Sequence, residues 1–124
     1  MRKTTATVTC YELDNDELKS ILGDYLRSND INVDTDSITI REDMLSLGDT
    51  DGIINKVEAH VEIESINIAV ENIGSCYSLK TLTMDDLSIR KAIIKYFKNT
   101  DIDISDILFR MNKSDIEAKV TVLE

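Results

Sequence analysis

Apolar residues fall at Leu18, Ile21, Leu22, Tyr25 and Leu26, the i, i+3, i+4, i+7, i+8 spacing of a helix that buries one stripe. The same spacing returns 71 residues later at Ile89, Ala92, Ile93, Tyr96 and Phe97. Each segment carries a start signal. Asp14 with Glu17, and Thr83 with Asp86, place an oxygen acceptor where the first free backbone amides of a helix need one. Elsewhere the period changes from 3.6 to 2. Thr9 to Leu13, Ile38 to Arg41, Val57 to Ile63, Ile107 to Arg110 and Ile116 to Val122 alternate in the manner of half-buried strands.

These segments correspond in pairs. Tyr25 to Val33 matches Tyr96 to Ile104, Ile38 to Arg41 matches Ile107 to Arg110, and Val57 to Ile63 matches Ile116 to Val122. Thr9 to Leu13 resembles Ser75 to Leu79, at an offset of 66 instead of 71. The expectation is an α+β fold in which residues 1–124 form a single domain by internal duplication of a β-α-β-β unit. Repeat one spans about 5–64 with an insertion at 42–54, and repeat two about 75–124. Two helices then pack on one shared antiparallel sheet with pseudo-two-fold symmetry. Neither half buries enough apolar surface to stand comfortably alone, and no Pro/Gly/Ser linker separates them. The insertion, with Gly48 and Gly52, reads as a loop with a helical turn from Met44 to Leu47. An extended run continues from Lys56 to about Glu71, with a slip of phase at Glu64-Ser65 that predicts a bulge or tight turn.

Composition narrows the function. The chain has 124 residues, 42% of them hydrophobic, enough for a packed core. No stretch is apolar over the ~18 residues a membrane helix needs. There are 24 acidic against 14 basic residues, a net charge of −10, which excludes nucleic-acid binding through a basic face. Residues after the basic start alternate like a strand, with no apolar signal-peptide core, and Cys10 and Cys76 read as reduced, buried thiols of a cytoplasmic protein.

The charge is unevenly placed. Residues 42–72 hold 8 acids and 1 base, whereas residues 73–124 hold 8 of each. Glu58, Glu62 and Glu64 alternate with His60 along one strand face, and Asp43, Asp49 and Asp51 lie in the insertion. These seven are the candidate partner-binding residues, for a basic protein surface such as that of a nucleic-acid-binding protein. The second helix carries Arg90, Lys91, Lys95 and Lys98, expected outward, a basic ridge that offers a homodimer or higher oligomer as an alternative.

Chemistry-bearing motifs are few. One histidine, four glycines and the lack of GxSxG, P-loop or GxGxxG patterns argue against an enzyme, and no cofactor or metal is expected. Asp49-Thr50-Asp51-Gly52 superficially resembles a calcium loop, but the first ligand position would be Leu47, which cannot coordinate. The favoured function is a small acidic, non-enzymatic binding protein. In size and charge it resembles the acidic inhibitors that mobile elements direct against nucleic-acid-handling host proteins, and the isoleucine-rich, proline-free composition fits an AT-rich coding genome of that kind. The alternatives are a homo-oligomeric structural subunit and a small-ligand binder using the groove between the repeats, lined by Tyr25 and Tyr96.

Overall fold

A computed structural model describes residues 2–5, 9–43, 53–63, 74–78 and 81–123. Both periodic segments are helices, α1 at Asn15–Ser28 and α2 at Asp86–Lys98. Asp14 caps α1 in a complete capping box, its carboxylate accepting from the Glu17 amide at 2.8 Å and Glu17 reaching back to the Asp14 amide. The cap of α2 is Asp85, which accepts from the Ser88 amide at 2.8 Å, and not the expected Thr83. Thr83 is committed to a strand, and Asp85 stands 71 residues after Asp14, in the helix register. Both helices end alike. The Ile31 amide bonds to the Leu26 carbonyl and the Asp30 amide to that of Arg27, and Ile102 to Phe97 and Asp101 to Lys98 repeat the pattern. In this stop the residue just past the cap turns left-handed, and Asp30 (φ 63°) and Asp101 (φ 60°) fill a place that aspartate tolerates better than most non-glycine residues.

The strands are β1 (Arg2–Thr5), β2 (Thr9–Leu13), β3 (Thr39–Glu42), β4 (Ile53–Ile54), β5 (Val57–Glu62), β6 (Gly74–Ser78), β7 (Thr81–Met84), β8 (Asp103–Asn112) and β9 (Asp115–Leu123). They form two antiparallel sheets, ordered β1-β2-β9-β8-β4 and β3-β5-β7-β6, in place of the single sheet expected. The cause is an exchange of partners. The strand before α1, β2, pairs with β9, and the strand before α2, β7, pairs with β5. Each sheet therefore takes strands from both halves of the chain.

The registers agree across the two sheets. Glu12 stands opposite Lys119 as Thr83 stands opposite His60, and Leu13 opposite Ala118 as Met84 opposite Ala59. In the hairpins, Arg41 faces Glu58 and Arg110 faces Glu117. The strand that occupies the place of β2 is thus β7, at the offset of 71, and not Ser75 to Leu79 as the sequence suggested. Residue identity misled there, while helix register was the sounder guide. The inserted segment contributes β4 to the edge of β8, and the turn expected from Met44 to Leu47 lies outside the described residues. So does the slip of phase expected at Glu64-Ser65.

The core is one apolar cluster drawn from both helices and both sheets, with Leu18, Leu22 and Leu26 of α1, Ile89, Ile93 and Phe97 of α2, Val57 and Val61 of β5, and Phe109 of β8. Cys10 is buried, and the side chain of Cys76 lies outside those described.

Arg90 is not part of an outward ridge. Its Nε donates to Asp86 Oδ2 at 2.7 Å, its Nη1 to the Ile107 carbonyl at 2.9 Å, and its guanidinium lies over the Phe109 ring. The other Asp86 oxygen accepts from the Val57 amide at 2.9 Å, fixing where β5 begins. One step into α1, Asn15 makes the equivalent tie, donating to the carbonyl of Ile116 in β9. Arg90→Ala would strand a mostly buried carboxylate and a strand carbonyl. It should cost about 2–3 kcal/mol in urea denaturation, against no more than about 0.5 for Lys91→Ala on the exposed face.

Candidate functional site

Strand β5 alternates as its sequence implies. Val57, Ala59 and Val61 enter the core, while Glu58, His60 and Glu62 share the outward face. The start of the strand is fixed by Asp86, and its register by β3 on one side and β7 on the other.

Glu58 does not stand alone on that face. Arg41, directly across on β3, donates from Nε to Glu58 Oε1 at 3.1 Å, and His60 Nε2 lies 3.0 Å from the same oxygen. The guanidinium also stands against the His60 ring, Nη2 lying 3.3 Å from Nδ1. Glu58 and His60 side chains keep only 22% of their exposure, so this is a half-covered, charge-compensated cluster and not a bare carboxylate row. An exposed pair of this kind adds at most about 1 kcal/mol to stability. Its larger effect is to cancel one of the charges that the sequence counted toward an acidic surface.

Glu62 is different. It is exposed at the end of β5 and borders an open cleft lined by Arg27, Val33, Asp34, Thr35, Ser37 and Ile63. Asp43 follows β3 and is half-buried, its amide bonded to the Lys56 carbonyl. Glu64, Asp49 and Asp51 lie outside the described residues. The structure thus brings Glu58 and His60 together, sets Glu62 two residues further along the same face, and puts Asp43 at the far end of the neighbouring strand.

Arg41 was missed from sequence, although a signal was present. Arg41 and Glu58 match Arg110 and Glu117 in the second half, and a basic–acidic combination kept in two corresponding hairpins points to a cross-strand pair. Across from His60, Thr83 is 8% exposed and its hydroxyl has no hydrogen-bond partner among the described residues.

Between the helices runs a crease of about 260 Å³, lined by Ile21, Asp24, Tyr25 and Ser28 and by their counterparts 71 residues on, Ala92, Lys95, Tyr96 and Asn99. Half of these residues are polar, and Lys95 crosses the crease to Ser28 Oγ at 3.3 Å and stands over the Tyr25 ring. The crease falls short of the roomy, mostly apolar pocket that small-molecule sites favour. Among the described residues no group of three metal-ligating side chains converges, and no helix is long and apolar enough to cross a membrane. No known family model matches this chain, and neither curated proteins nor solved structures give a match.

Proposed function

We propose that this chain is a small acidic, non-enzymatic binding protein whose first half engages a basic protein partner, of the type that handles nucleic acid. The observation that carries this proposal is segregation of charge: residues 42–72 hold 8 acids and 1 base, on a chain whose last 52 residues are balanced. Clustered carboxylates steer encounter with a basic surface and set its orientation. The contact centres on the exposed Glu62 and the acids flanking β5, with Asp43 beside the strand and Asp49, Asp51 and Glu64 in the adjoining sequence. Glu58 and His60 serve it by holding Arg41 down on the sheet.

The ion pair decides how to test this. Glu58→Lys would set two cations side by side and disturb the sheet, so a loss of binding there would be ambiguous. Asp43→Lys, Glu62→Lys and Glu64→Lys together leave that pair alone. The triple variant should keep the wild-type unfolding transition and lose partner binding by 100-fold or more at low salt, on the order of 1 kcal/mol per reversed charge. Undiminished affinity would refute the acidic contact.

The same proposal extends to architecture. The chain is a duplicated ββαββ unit with exchanged last strands, the first unit running β1-β2-α1-β3-β5 and the second β6-β7-α2-β8-β9. Matching registers, matching helix stops and the shared 71-residue offset support it. Duplication explains why charge, and not fold, distinguishes the halves. The insertion and the acids around β5 are what the first unit has and the second lacks.

A further inference from the structure

Helix α2 carries one acid and four bases on a chain of net charge −10. With Arg90 tied down, its solvent face consists of Lys91, Lys95 and Lys98 together with Leu87 at 60% and Ile94 at 45% exposure. Leu87 and Ile94 are seven residues apart and Lys91 and Lys98 likewise, so the four form one stripe along the helix.

The corresponding face of α1 is closed by the chain itself. Gly23 occupies the place of Ile94 and is buried, with Thr35 and Arg27 so near that an added Cβ would meet Thr35 Oγ1 at 2.7 Å. Arg27 is held there by the Val33 carbonyl and by Asp24, and the short 3-10 turn at Thr35–Ser37 completes the cover. Past α2 no such turn exists, because β8 begins at Asp103. One helix face is therefore covered and its counterpart is open, apolar and basic.

We propose that a second copy of this chain covers it, through a two-fold contact in which α2 of each protomer lies on α1 of the other. Charge selects the occupant. Stacking α2 on α2 would oppose lysines with lysines, whereas the exposed residues of α1 include Asp16, Ser20 and Asp24, and Asp24 is the residue corresponding to Lys95. Because α1 and α2 lie side by side, a two-fold axis between them makes the acid-to-base contact twice and closes the dimer, as an isologous interface requires. The contact buries Leu87 and Ile94, the two exposed apolar side chains of the helix layer. It involves none of the acids around β5, so it stands or falls independently of the binding role proposed above.

The test is the oligomeric state of the full chain, by light scattering after size exclusion and by sedimentation equilibrium at low salt. Wild type should have twice the monomer mass, dissociating as salt rises. Lys91→Glu with Lys95→Glu should be monomeric, as should Asp16→Lys with Asp24→Lys, both with wild-type circular dichroism. All four substitutions combined restore the opposition of charges and should restore the dimer. A monomeric wild type overturns the proposal, as does a dimer indifferent to the lysine reversals or a four-fold variant that stays monomeric.

Discussion

Severed between residues 72 and 73, the chain should give two fragments that are each unfolded and that fold together when mixed in equal amounts. The reason is the partner exchange between sheets. Fragment 1–72 keeps α1 and the β3–β5 hairpin but loses β9 from beside β2 and β7 from beside β5. Fragment 73–124 keeps α2 and the β8–β9 hairpin and loses the same two seams from the other side. The apolar cluster is divided as well, since Leu18, Leu22 and Leu26 belong to one fragment and Ile89, Ile93 and Phe97 to the other. Pieces of this size, each with half a core and an open strand edge, have too little burial to offset chain entropy. Far-UV circular dichroism should show little helix and no cooperative transition for either fragment. Their mixture should regain both, at a concentration-dependent midpoint, because association now costs several kcal/mol of translational and rotational freedom. A fragment that melts cooperatively on its own would contradict this account of the fold.

Phe97→Ala should be the most damaging single truncation, costing about 3–5 kcal/mol of the roughly 5–15 kcal/mol that holds a domain folded. The ring is fully buried, 5.3 Å from that of Tyr11 in β2 and edge-on to Tyr96 at 5.3 Å. It joins the second helix to a strand of the first half, so the cavity opens at a seam between halves, where collapse from one side cannot fill it. Its carbonyl also accepts the amides of Thr100 and Ile102 that end the helix, but the backbone survives the substitution, so the loss reports on the ring. Urea denaturation should show the midpoint falling with the slope unchanged. Phe97→Leu, which keeps most of the volume, should cost no more than about 1.5 kcal/mol. Equal losses for the two variants would show that the ring packing is not what Phe97 supplies.

Much of this architecture was legible in the residues, and the exceptions have physical causes. Helix position and buried stripes follow from a period of 3.6, which is local, and Leu18, Ile21, Leu22, Leu26, Ile89, Ala92, Ile93 and Phe97 are all buried as that period implies. Strand faces follow from alternation, so Glu58, His60 and Glu62 were placed outward correctly. Strand pairing is not local. Nothing in the alternation of Thr9 to Leu13 says that it meets β9 across a hundred residues, and one sheet and two sheets present the same alternating strands. The cap at Thr83 failed for a related reason: threonine suits both a cap and a strand, and only tertiary pairing with β5 decides between them. The candidate site was legible as a face but not as a set of charges, because the neutralising Arg41 comes from the facing strand and the register had to be known. Arg90 shows the same limit. Its helix position gives no hint that Asp86, Ile107 and Phe109 draw it inward.

The central claim is that a basic protein is held by the acids flanking β5. The most direct measurement immobilises wild type and the Asp43→Lys/Glu62→Lys/Glu64→Lys variant side by side. Both are exposed to lysate of the producing organism and its host, and the retained proteins are eluted with rising salt and identified by mass spectrometry. A basic protein retained by wild type, released as ionic strength shortens the screening length from ~10 Å toward ~3 Å, and absent from the variant is the result this account expects. A retained protein that binds both forms equally or ignores salt, or a wild type that retains no basic protein, would contradict it.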